Sequence, residues 1–121
     1  MPPTTDNRPA IAALVRVRAR TSGDRTVLAV AGEVDLASAP VLQAAVTGAL
    51  EGGAAELLID LSDTEFMDSA GLHLLMETQR EAGRLRRRLA IVCPPGAVRR
   101  LFDIAGVAGT LPVHDDARSV A

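Results

Sequence analysis

The chain has 121 residues, 48% of them hydrophobic, which suits one domain with an ordinary core. Aromatics make up 2%, with no Trp or Tyr, so the core is aliphatic and base stacking on single-stranded nucleic acid is disfavoured. A net charge of −2 gives no general pull towards nucleic acid or anionic lipid, and a single cysteine, Cys93, excludes an internal disulfide. The N-terminal stretch MPPTTDNRPA lacks the basic and apolar segments of a signal peptide, and no apolar run approaches the roughly 20 residues that span a bilayer. A cytoplasmic protein without membrane segments is expected.

Residues 1–10, rich in proline and polar side chains, read as a flexible arm preceding a domain over residues 11–121. LVRVRAR alternates from Val15 to Arg20, with Val15, Val17 and Ala19 inward, and predicts a half-exposed strand. TSGD is turn chemistry, and TVLAVAG to Gly32 completes a hairpin. SAPVLQAAVTGALEGG predicts a helix capped by Ser38, with Pro40 in its first turn and Gly52 and Gly53 as its stop. Leu57 to Leu61 is a central strand. EFMDSAGLHLLMET opens a second helix that runs to about Ala82 and stops at Gly83. LAIVC is a buried strand ended by Pro94 and Pro95, GAVRRLFDIAG is a helix closed by Gly106, and LPV is a short extended segment. The order β-β-α-β-α-β-α-β predicts an α/β domain.

Chemistry concentrates at Asp68-Ser69. Ser69 follows a strand and opens a helix, near the carboxyl edge of a sheet where α/β proteins place sites. Ser and Asp are both favoured caps, each contributing about 1 kcal/mol, and capping alone is a sufficient explanation of either. It leaves Gly71 unexplained, since glycine in a first turn costs up to about 1 kcal/mol against alanine. Gly71 makes sense if another molecule approaches the backbone there. On the helical wheel, Leu72, Leu75, Met76, Gln79 and Ala82 face the sheet, while Leu74 falls on the outer face with Glu77 and Glu81, open to a partner.

Competing chemistries fit less well. Ser69, His73 and Asp68 carry the letters of a hydrolase triad, but His73 lies one turn along the same helix and nothing orients it. There is no P-loop or G-x-S-x-G elbow, and His73, His114 and Cys93 lack metal-ligand spacing. Asp35, Asp60 and Asp68 could form an acidic pocket of the phosphoaspartate kind, yet the chain has no lysine to meet an acyl phosphate. Arg84 to Arg88 read as charges at a helix C-terminus rather than a nucleic-acid patch.

LLIDLSDTEFMDSAGLHLL, with GEVDLASAP before it and AVRRLFDIAG after it, resembles the STAS domain of bacterial anti-sigma factor antagonists. The likeness covers about Val15 to Val113. It implies a single STAS-type α/β domain with a mixed sheet, no catalysis, no cofactor and no metal. It also implies an anti-sigma factor with serine kinase activity as partner, a serine phosphatase that reverses the modification, and no direct contact with nucleic acid. By motif, Ser69 matches the family phosphoacceptor, Asp68 its neighbour at the contact surface, and Asp35 the acid on the adjacent loop. Gly71 and Leu74 complete the expected partner-binding set. Ala70 stands where many members carry a second serine. The alternative is a small ligand-binding or phosphotransfer domain using the acidic loops, such as a stressosome-type module.

Overall fold

The computed structural model describes residues 14–120; the arm expected at residues 1–10 lies outside them. The alternation of valines with Arg16, Arg18 and Arg20 forms β1 (Val15–Ser22), which turns at Gly23 and pairs antiparallel with β2 (Arg25–Val34). From there each strand is followed by a helix and a parallel neighbour. α1 (Ala39–Glu51) leads to β3 (Glu56–Met67), α2 (Ser69–Arg84) to β4 (Arg88–Val92), and α3 (Ala97–Ala105) to β5 (Val113–His114). The sheet order is β1-β2-β3-β4-β5, parallel except for the β1–β2 pair. The expected architecture is therefore the observed one. A 3-10 turn at Ala117–Ser119 follows the last strand.

Successive crossovers between adjacent parallel strands share one hand, so all three helices lie on one face. Leu42, Val46 and Leu50 of α1, Leu72 and Leu75 of α2, and Val98 and Phe102 of α3 share a core with Leu28, Val30, Leu57, Ile59 and Ile91 of the sheet. The opposite face has a small separate cluster of Leu58, Ala90 and Val92, against which Val27 and Val120 pack.

Three local expectations change. β3 does not end at Leu61 but continues through polar Ser62 to Glu65 as far as Met67. β2 is long enough to pair with this stretch, two irregularities absorb the extra residues, and the Thr64 hydroxyl donates to the Val30 carbonyl at 2.8 Å. α2 runs through Gly83, and the left-handed position is Arg86, at φ 59°. Arg87 does not decorate its own helix: its Nη1 donates to the carbonyls of Ala54 at 2.6 Å and Leu50 at 3.2 Å, closing the C-terminal end of α1.

Candidate functional site

The last rung between β2 and β3 is Val34 paired with Met67, and both side chains are buried. The next residue on each chain is an acid, so Asp35 and Asp68 emerge side by side at the carboxyl edge of the sheet. The Asp68 N–H still donates to the Val34 carbonyl at 3.2 Å.

Asp68 is the cap of α2. Its Oδ1 accepts the N–H groups of Ala70 at 2.9 Å and Gly71 at 3.3 Å, and its own backbone is extended. The capping expected of Ser69 is thereby corrected: Ser69 is the first helical residue. Its side chain is exposed, and its hydroxyl makes no hydrogen bond among the described residues. His73 lies further along α2 with its Nε2 3.5 Å from Glu77, and it makes no hydrogen bond to Ser69. Asp60, on the helix-free face of β3, holds the N–H and hydroxyl of Ser62, so the three acids do not converge.

The Asp35 loop is held by a residue that sequence reasoning undervalued. Ser38 is fully buried and its hydroxyl does not cap α1. Instead that hydroxyl donates to the Glu33 carbonyl at 2.7 Å, accepts the Asp35 N–H at 2.9 Å and lies 3.0 Å from Asp35 Oδ1, which also accepts the Ser38 N–H at 2.9 Å. These bonds, the Ser38 backbone N–H first, hold the Asp35 carboxyl below its ordinary range. Asp35 is thus a fixed, ionised carboxylate on the loop that leaves β2 next to the Val34–Met67 rung.

Gly71 does not open the backbone to an approaching molecule. It is buried, and a Cβ there would lie 2.6 Å from Met67 Cγ and 2.9 Å from Val34 Cγ1. The glycine lets α2 sit tightly on the ends of β2 and β3. Leu74 also departs from expectation. It is half-buried against α1, packs on the core, and lines a groove of about 300 Å³ with Val46, Thr47 and Leu50. The wheel set the buried stripe too far round: Gly71, Leu75, Thr78 and Ala82 are buried, and Leu74, one turn before Thr78, flanks them on the side of α1.

The exposed apolar residue of the region is Leu36, 78% accessible and next to Asp35. An apolar residue inside an otherwise turn-like DLAS segment was the available signal. Cys93 is buried, and desolvation pushes its thiol up to about 11, as suits a core position. Among the described residues no cluster of His, Cys, Asp and Glu could hold a metal ion, and no helix is long and apolar enough to cross a membrane.

A family model described as "Mlab, STAS domain" matches residues 17–113. The chain belongs to the STAS-domain family. Within it, the chain is 28% identical over 86 residues to the anti-sigma-B factor antagonist of Staphylococcus aureus, covering 71% of this chain and 80% of that one. The crystal structure of an anti-sigma factor antagonist from Mycobacterium paratuberculosis superposes with a TM-score of 0.80 at 28% identity, over 86% of this chain and 88% of that one. The phosphorylated form of SpoIIAA, a Bacillus cell fate determinant, matches at a TM-score of 0.66 and 19% identity, over 87% of this chain and 96% of that one, and shares the fold. The Staphylococcus and Mycobacterium relatives are both named as anti-sigma factor antagonists.

Proposed function

We propose that this STAS domain is a cytoplasmic anti-sigma factor antagonist whose binding is ended by phosphorylation of Ser69. The partner is an anti-sigma factor with serine kinase activity, and a serine phosphatase restores the binding form, so that sigma-factor-dependent transcription follows the state of one hydroxyl. The observation that carries this reading is the exposed Ser69 hydroxyl at the start of α2, unbonded among the described residues and next to the capping Asp68. In this reading the kinase site of the partner supplies both the phosphate donor and the groups that transfer it.

A phosphate on Ser69 adds about −1.5 to −2 charges at a helix N-terminus, where the fold tolerates negative charge. At an interface already holding two carboxylates, that charge is repelled or must be desolvated, and every 1.4 kcal/mol is about tenfold in affinity. Asp35, Asp68 and Ser69 form the contact surface, Leu36 supplies an apolar anchor, and Leu74 contributes the part of its side chain left open in the α1–α2 groove. Gly71 acts from beneath, by setting the height of the helix. The test is capture of partners from cell extract by unmodified protein, then incubation of the captured kinase with ATP and peptide mapping of the product. Phosphoserine at Ser69 with release of the partner is expected. Phosphate on an aspartate would favour the phosphotransfer alternative, and no phosphate at all would remove the switch.

A further inference from the structure

Among the described residues, the three α-helices all lie on one face of the sheet. On the other face, the pairing registers set side chains in level rows across β1, β2 and β3: Arg18, Ala29 and Asp60 form one row, and Arg16, Ala31 and Asp63 the next. Beyond these, Leu14 and Phe66 flank Glu33, whose N–H donates to the Leu14 carbonyl at 2.7 Å. Leu14 and Phe66 are 41% and 48% exposed. Ala29 and Ala31 floor a trough of about 190 Å³ between the arginines and the aspartates. Two strand spacings, about 10 Å, separate the charges within a row. Arg16, Arg18 and Asp63 have no hydrogen-bond or ion-pair partner among the described residues. Beyond the Arg18 row, Val120 packs on Leu58, Ala90 and Val92, while Arg20 of β1 stays exposed.

We propose that this face binds a second copy of the chain, paired about a two-fold axis that runs along β2. A half-turn about that line lays β1 of one copy over β3 of the other without changing the level of any row. Arg16 then meets Asp63 of the second copy, Arg18 meets Asp60, and Leu14 meets Phe66, each contact occurring twice as an isologous interface requires. The alanines lie on the axis, where small side chains let two sheets approach to about 10 Å. Glu33 meets its own mate at the rim, a like-charge contact that opposes pairing and keeps the association reversible. Association through the β1 edge instead would set arginine rows against each other, a device that blocks edge pairing.

Sedimentation velocity on the full chain tests this arrangement. The wild type, 12.6 kDa as a monomer, is expected to approach twice that mass as concentration rises, and less readily in high salt. Arg16→Glu and Asp63→Arg, both at exposed positions, should each weaken self-association at least tenfold with unchanged melting curves. A one-to-one mixture of the two variants should regain it, because each new charge finds its opposite on the other chain. A wild type that stays monomeric throughout, single variants that associate like wild type, or a mixture that fails to recover would each overturn the proposal.

Discussion

Asp68 donates its N–H to the Val34 carbonyl at 3.2 Å while its carboxylate receives the first free N–H groups of α2. One residue thereby ends the β2–β3 ladder and begins the helix, and Ser69 is left without a structural task. Its hydroxyl is available to another molecule because its neighbour does the capping.

This division separates two substitutions. Asp68→Ala should lower stability by about 1 kcal/mol, the usual cost of a lost cap. Ser69→Ala should change it by no more than about 0.5 kcal/mol, as at an unbonded surface position, while accepting no phosphate and still binding the partner. Urea denaturation of both variants, with phosphate incorporation for the second, decides the matter. Equal losses of stability would mean that Ser69 shares the capping.

Gly71→Ala has a sign that distinguishes packing from propensity. In an open first turn, alanine would stabilise the helix. Here the added methyl meets Met67 Cγ at 2.6 Å and Val34 Cγ1 at 2.9 Å, so overpacking should lower stability by about 1–3 kcal/mol. Gly71→Val should cost more. A thermal midpoint raised by the alanine would refute this account of the glycine.

Leu36→Glu addresses the partner surface. At 78% exposure, the change should leave stability within about 0.5 kcal/mol. If Leu36 is the apolar anchor beside Asp35, affinity for the captured partner should fall at least tenfold, measured by titration. Unchanged affinity would return the apolar contact to Leu74 and the α1–α2 groove.

The fold was legible because strand alternation, proline and glycine punctuation and the helical period all agree from Val15 onwards. β3 was underestimated because Ser62, Asp63, Thr64 and Glu65 look like a loop; their polarity fits a strand end that pairs with β2 alone and is buried on neither side. The site residues were legible through motif and position, but their division of labour was not. Which of Asp68 and Ser69 caps depends on one backbone conformation, and the role of Gly71 depends on Met67 and Val34 arriving beneath it from two strands. Ser38 looked like a cap because its partners, Glu33 and Asp35, bond it only once the loop closes. The rows on the helix-free face needed the strand registers, including the bulge that brings Asp63 level with Ala31.

Acid should weaken the fold through two carboxylates. Glu56 bonds Arg25 at 2.9 Å and lies 3.6 Å from Arg88, and the Arg25 hydrogen bond is the main cause holding its carboxyl below the ordinary 4.5. Asp35 is held below 3.8 chiefly by the Ser38 N–H. A lowered native value means that the folded state binds fewer protons than the unfolded state in the range between the two values. Their contribution to stability is therefore complete above the ordinary values and is lost as pH falls through the native ones. Urea unfolding from pH 7 down to about 3 should show stability declining across this window, with the slope set by the difference in bound protons. Glu56→Gln should lower stability at pH 7, where the wild-type pairs with Arg25 and Arg88 are intact. It should draw closer to wild type as pH falls and the native carboxylate takes up its proton. An acid limb as steep in Glu56→Gln as in wild type would show that Glu56 does not drive it, leaving Asp35 and its Ser38 clasp as the group to test by Ser38→Ala.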